Sequence, residues 1–332
     1  MRIIKSSFFD QFRCIADRCP DSCCKEWDVL VDDRSAAIYR SLPGPLGDRL
    51  RRVLTEEDGS TYMTIENGRC PMWRTDGLCR IQAELGEETL CKTCREFPRL
   101  THDYGDFVEM GLELSCPEAA RLILNAPPAP YITEELPGGD APEYDREAME
   151  ILLQTREEAL ALLQDGRYSV PEALTLLLIY GYQAQARLDG DDGLTFDPDL
   201  SLQQTREMSK PADIPQMLAF FDRLEILTDS WKARLANPEG GAWSESYRNL
   251  ARYGIQRYWL QAVSDYDLVG RVKFILISCL MVKILGGDLL TTAQHYSKEI
   301  ENSTENIEAI LDAAYDNPAF TDDKLLGLLS KE

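Results

Sequence analysis

Residues 14–24 read CIADRCPDSCC, which places Cys14, Cys19, Cys23 and Cys24 within one short run. Cys70, Cys79, Cys91, Cys94 and Cys116 follow, and of the ten cysteines in this 332-residue chain only Cys279 lies outside the stretch from Cys14 to Cys116. Thiols this dense in sequence either join as disulfides or hold a metal. The N-terminus, MRIIKSSFFDQFRC, has neither a long apolar run nor a small-residue cleavage site, so it does not read as a secretory signal. The longest apolar stretch, Phe274 to Val282, falls well short of the roughly 20 residues that span a bilayer. These features point to the cytoplasm, where clustered cysteines stay reduced and favour metal over disulfides.

The formal net charge is −22 and the pI about 4.5. Such a surface repels phosphate backbones and anionic lipid, which disfavours nucleic acid and membrane as partners. A lysine-presenting protein would be attracted.

Around the cysteines the chain reads as short elements. Trp27 to Val31 predicts a strand, Asp32 caps a helix through Tyr39, and Gly47 to Leu54 predicts a second short helix. Thr61 to Ile65 is β-prone and Asn67-Gly68 marks a turn. Asp76-Gly77 predicts a hairpin that returns Cys79 towards Met72 and Trp73, near Cys70. Ile81 to Leu85 reads as helix, ended by Gly86. Leu112 to Cys116 reads as extended, followed by a helix with Pro117 in its first turn.

Residues 127–142, PPAPYITEELPGGDAP, predict a linker. Beyond it apolar residues recur at helical spacing. Helices are expected over Tyr144–Gln164, from Ser169 onward, and over Pro215–Leu235, Ser244–Val263, Leu268–Leu285, Thr292–Tyr315 and Lys324–Leu329, with a polar loop from Gly190 to Pro198. The expected architecture is mainly α. A small, irregular cysteine-rich metal-binding domain with a short β-hairpin (1–126) precedes the linker (127–142) and an all-helical bundle (143–332).

Thiolate sulfur suits zinc, copper(I) and the iron of iron–sulfur clusters. A structural zinc takes four ligands and a cubane cluster takes four cysteines. Nine clustered thiols therefore make two sites, or one site with spectators, and the spacing does not choose the metal. Adjacent Cys23 and Cys24 diverge in extended chain. Cys91-x2-Cys94 also has a redox-pair reading, Cys279 reads as a core residue, His102 as a stray ligand or none, and His295 as surface or capping. The tyrosine stripe at Tyr247, Tyr253 and Tyr258 reads as packing. No dinucleotide fingerprint, phosphate loop, G-x-S-x-G or H-E-x-x-H occurs in the sequence.

Cys14-x4-Cys19-x3-Cys23-Cys24, Trp27, Cys70-Pro71 with Asp76-Gly-Leu-Cys79, Thr93-Cys94-Arg-Glu-Phe-Pro98-Arg99 and Ser115-Cys116-Pro-Glu-Ala-Ala120 resemble the bacterial flagellin lysine-N-methylase family, whose cysteine-rich region is a zinc- or iron-chelating module. The resemblance covers about residues 8–125. It implies a transferase that methylates lysine ε-amines of flagellin, with S-adenosylmethionine as donor and an iron–sulfur cluster (4Fe-4S, zinc as the alternative) as the bound metal. Carried over position by position, the ligands are Cys14, Cys19, Cys23, Cys24, Cys70, Cys79, Cys94 and Cys116, with Cys91 extra. Shorter relatives space the first cysteines C-x3-C-x2-C-C, tighter than here. A cationic donor favours aromatic faces, for which Trp27, Trp73 and Phe97 are candidates. Arg95 or Arg99 would hold its carboxylate. The alternatives are a non-catalytic zinc-stapled protein-interaction module, and a redox or metal-delivery protein using Cys91 and Cys94.

Overall fold

A computed structural model describes residues 1–138, 140–191, 193–211 and 213–330. It is mainly α, as the periodicity predicts. Gly139 of the expected linker, Asp192 of the expected polar loop and the last two residues of the expected helical region lie outside the described residues.

The centre of the larger core is the helix Leu268–Leu285, whose side chains are buried on all faces except at Lys283. A helix that is apolar all round must be enclosed by others, and here helices Val170–Leu188 and Ser246–Tyr258 flank it. Gly254 sets how close one of them comes: a Cβ there would lie 2.8 Å from Ile275 Cγ1. Local signals start the helices where the sequence places them. Asp145 accepts from the amides of Glu147 and Ala148 to open Arg146–Gln164, and Ser169 with Glu172 forms a capping box at Val170–Leu188.

Two helical expectations are corrected, and one helix was not anticipated. Residues 215–235 form two helices, Ile214–Phe221 and Asp229–Ala236, because Asp222 to Thr228 leave the helical path and Thr228 caps the second. The described residues of the polar loop are non-helical up to Pro198, where an unexpected helix, Pro198–Met208, begins, capped by Asp197. The span 292–315 is divided into Leu289–Tyr296, a π-helical turn Ser297–Glu301, and Thr304–Asp316, which Ser303 caps.

The strands are β1 (Arg2–Lys5), β2 (Val29–Val31), β3 (Leu54–Glu57), β4 (Ser60–Met63), β5 (Arg99–Asp103), β6 (Phe107–Leu112) and β7 (Ile132–Glu135). One sheet has the order β5-β6-β1-β7 and the other β2-β4-β3. β1 runs parallel to β6, with Arg2 opposite Phe107, and antiparallel to β7, with Arg2 opposite Glu135. The proline-rich segment 127–142 thus supplies an edge strand, with β1 as its partner.

Two hydrophobic cores result, and they do not follow chain order. The smaller gathers Val29, Val31, Tyr39, Leu50, Met72 and Cys91 among others. The larger joins Phe8, Phe12, Phe107, Leu112 and Ile123 to the C-terminal helices. The Glu109–Arg156 pair crosses from β6 to the helix Arg146–Gln164 at 2.8 Å, with Arg156 almost fully buried.

Candidate metal centre

The cysteines arrive from four short segments, each fixed by backbone and side-chain bonds. Asn67 and Gly68 adopt the positive φ values of a tight turn (52° and 71°). That turn brings Cys70 back so that its amide donates to the Cys24 carbonyl at 2.7 Å, while Glu26 N donates to Gly68 O at 3.1 Å. The hairpin expected at Asp76-Gly77 is present. Gly77 has φ +81°, Arg74 N donates to Leu78 O at 2.9 Å and Arg80 N to Met72 O at 2.7 Å, and Trp73 bridges Cys79.

Asp32 positions the third segment. One of its carboxylate oxygens caps the helix Asp33–Ser41 through Ser35 N. The other accepts from Lys92 N at 2.7 Å, at the start of the helix Lys92–Glu96. Thr93 adds a hydroxyl bond to Leu30 O at 2.8 Å. Cys91 and Cys94 are thereby held against β2. The fourth segment, Ser115-Cys116, leads into the helix Pro117–Asn125, with Cys116 at its N-cap.

All ten cysteines are free thiols. The Cys24 thiol is in hydrogen-bonding contact with those of Cys23 and Cys70, which raises its own pKa and lowers theirs. Cys91 and Cys94 form a second such pair: the contact lowers Cys91 and raises Cys94. Burial raises Cys79 and Cys19, and pushes Cys116 up to about 12. Cys94 feels the charges of Cys23 and Cys70, and Cys116 those of Cys19 and Cys23. Cys14 is exposed, and its sulfur accepts from Ala16 N at 3.4 Å. Cys279 is fully buried in the helical core, where burial alone raises its thiol. The sulfurs are thus gathered, and in kind they suit a thiophilic metal. Among the described residues, however, no three His, Cys, Asp or Glu side chains form a group that could hold a metal ion.

The other named residues sit around this cluster without converging. Trp27 donates its indole N–H to Cys23 O at 3.0 Å. Trp73 lies under the Arg69 guanidinium, 4.6 Å from the ring centroid. Arg95 is exposed on the helix Lys92–Glu96, and Phe97 follows as that helix's C-cap. Arg99 lies over the Phe12 ring. His102 is on β5, where burial lowers its pKa, close to Arg257. His295 is half-buried near Asp21 rather than on the surface. Tyr253 and Tyr258 are buried, and both donate to Glu301, at 2.8 and 2.9 Å.

Sequence reasoning missed the junction between the cysteine run and the helices. Asp21 accepts from Gln294 Nε2 at 3.1 Å, and that side chain also donates to Ser115 O at 2.7 Å. One buried glutamine therefore links the neighbourhoods of Cys19, Cys23 and Cys116. Lys298, in the π-helical turn, pairs with Asp21 at 3.3 Å and Glu26 at 2.6 Å, and Lys25 pairs with Asp21 at 2.6 Å. Burial pushes the Asp21 carboxyl up, but the Lys25 hydrogen bond, the Lys298 charge and the Ser22 amide outweigh it and hold it at about 2. A gap of more than 270 positions separates these partners, and nothing local in the sequence announces it.

Three relatives match this chain. Lysine-N-methylases of Salmonella typhimurium and Salmonella choleraesuis are each 31% identical over 140 residues, covering 40% of this chain and 35% of theirs. The flagellar biosynthetic protein FliU of Salmonella muenchen is also 31% identical over 140 residues, and the match covers 83% of it. The chain belongs to the lysine-N-methylase/FliU family. Its match spans about a third of the length of the two lysine-N-methylases. No family model matches it, and no solved structure does. Among the described residues, no helix is long and apolar enough to cross a membrane.

Proposed function

We propose that this member of the lysine-N-methylase/FliU family is a protein lysine N-methyltransferase acting on flagellin in the cytoplasm, with S-adenosylmethionine as donor. The observation that carries the reading is the family relationship, joined to cysteines brought from three separate segments beside a structured junction. A cluster would be held by sulfurs drawn from Cys23, Cys24, Cys70, Cys79, Cys91 and Cys94, and an iron–sulfur cluster there would supply Lewis-acidic, redox-active iron. Cys14, Cys19 and Cys116, which the resemblance also implies as ligands, are left outside this proposed set.

The chemistry asks little of the chain beyond positioning. The substrate lysine, near 10.4 in water, first gives a proton to a carboxylate or to water. Its nitrogen lone pair then forms a bond to the methyl carbon while the carbon–sulfur bond breaks. That electron pair stays on sulfur, and the product is a methylammonium with neutral S-adenosylhomocysteine. The protein's part is to desolvate the amine, which favours its neutral form, and to hold nitrogen, carbon and sulfur in line. The strongly acidic surface draws a lysine-bearing partner towards it.

Anaerobically purified protein is expected to carry iron and sulfide and to be brown. Incubation with flagellin and donor is expected to add mass in methyl increments at lysines. Colourless protein with stoichiometric zinc and no mass gain overturns the reading in favour of a zinc-stapled interaction module.

A further inference from the structure

A narrow slot separates β5, β6 and β1 from the helix Ser246–Tyr258. Strand register sets its floor. His102 and Ile4 lie opposite Glu109 from the two neighbouring strands, and Leu100 lies opposite Gly111, so these residues share one face. Gly111 keeps the slot open, because a Cβ there would meet nothing within 4 Å. A glycine inside a strand often marks a place where something approaches the backbone closely. Leu100 and His102 are half-buried at the rim, and the rings of Tyr131 and Tyr253 stand over the floor. The free space is about 30 Å³. A single water needs about 10–15 Å³ of such space, so the end of an unbranched chain fits and a ring does not.

The lining selects the head of that chain. Two buried atoms on it, His102 Nε2 and Tyr131 Oη, have no hydrogen-bond partner among the described residues. The charged groups beside them are already committed: Glu109 pairs with Arg156 at 2.8 Å and Arg257 with Glu301 at 3.2 Å. A carboxylate would find no free cation here, and an ammonium no free anion. An uncharged primary amine has two N–H donors, one for each unpartnered atom, with His102 accepting when Nδ1 carries the ring proton. Its lone pair stays free, and its methylenes lie against Ile4, Leu100 and the tyrosine rings.

The surroundings also favour that form. Burial, and then the charge of Arg257, lower the pKa of His102. The same two causes act on an amine seated beside it, which gives up its proton to water as it enters. We infer that the slot seats the end of a lysine side chain as its uncharged amine. That this lysine is the methyl acceptor rests on the methyl-transfer reading above.

The chain has two histidines, His102 and His295, so protein labelled with 13C-histidine gives one ring signal from each. The test is titration of the anaerobically purified full chain with n-butylamine, followed at these two signals, beside a flagellin methylation assay. The His102 signal is expected to move and the His295 signal to stay. An alkylamine titrates near 10.4, as lysine does, so affinity for the uncharged form is expected to rise about tenfold between about pH 7.5 and about pH 8.5. Tyr131→Phe is expected to weaken binding about tenfold, and Gly111→Val to abolish it by filling the slot. Both variants are expected to melt as the parent does, since the phenol oxygen has no partner to lose and the glycine faces open space. An unmoved His102 signal, an affinity that ignores pH, or undiminished binding by Gly111→Val overturns the inference. Amine binding as expected, with flagellin methylated by Gly111→Val at the parental rate, overturns the acceptor assignment and leaves the methyl-transfer reading standing. Amine binding as expected, with no methylation by the parent, supports the amine site and sinks the methyl-transfer reading.

Discussion

Lys298 reaches from the helical half of the molecule to Glu26 in the cysteine run, its Nζ 2.6 Å from the carboxylate and its side chain only 11% exposed. It also serves Asp21 at 3.3 Å, so one ammonium links two carboxylates that flank Cys23 and Cys24. Replacing it with Met removes the ammonium paired with Glu26 and leaves Asp21 with Lys25 alone as its cation, at a half-buried site. Lys298→Met is expected to lower stability by about 1–2 kcal/mol, between the values for exposed and fully buried pairs. Urea unfolding monitored by tryptophan fluorescence reads this directly, and an unchanged midpoint would show that the pair contributes nothing.

Asp21 gives the junction an acid limit. Its folded pKa of about 2 lies below the roughly 3.9 of an unfolded aspartate. A depressed carboxylate contributes stability above the unfolded value and loses it as pH falls through the folded one. The contribution is therefore present above about pH 4 and gone below about pH 2, and it amounts to about 2.5 kcal/mol. Asp21→Asn is expected to flatten the stability curve of the whole chain in that window, as measured by denaturation at stepped pH. A variant curve parallel to that of the parent would refute the account.

Cys24 and Cys279 are expected to behave oppositely. Cys24 touches two other thiols, whereas Cys279 is enclosed by the helical core. Cys24→Ser should sharply reduce metal retained after anaerobic reconstitution, with little direct loss of core packing. Cys279→Ala should keep its metal and lose about 1 kcal/mol through a small cavity. Metal analysis beside thermal unfolding separates the two. Equal metal content in both variants would remove Cys24 from the ligand set.

Glu301 accepts from Tyr253, Tyr258, Ser297 and Arg257 inside the bundle. Its carboxylate is 3% exposed and the Arg257 side chain 11%. Glu301→Gln keeps the shape but strands a buried guanidinium, a loss of about 3–5 kcal/mol. Replacing Arg257 with Met at the same time should recover part of it, and a double-mutant cycle is the appropriate measurement.

Much of the helical architecture was legible because it is local. Periodicity located Leu268–Leu285 to the residue, and the capping residues Asp32 and Ser169 announced their helices. The Asp76-Gly77 turn was legible for the same reason. The larger sheet was not: β1 is four residues long and its parallel partner lies over a hundred positions away. β5, with the sequence RLTHD, carries little apolar alternation. The helix at Pro198 was hidden by the polar residues that its exposed face requires. At the candidate site the cysteines were evident from composition, and the turn that returns Cys70 was visible in Asn67-Gly68. Gln294 and Lys298 were invisible because a polar residue on a helix reads as solvent-facing until its distant partner is known.

The smaller core has a topological consequence. The chain leaves the main body after Phe12, builds the cassette around Val29 to Cys91, and re-enters at β5. The two ends of that excursion lie on one framework, because β1, which precedes it, pairs directly with β6, which follows it. The cassette is therefore an insertion into a continuous trunk rather than a separate leading domain.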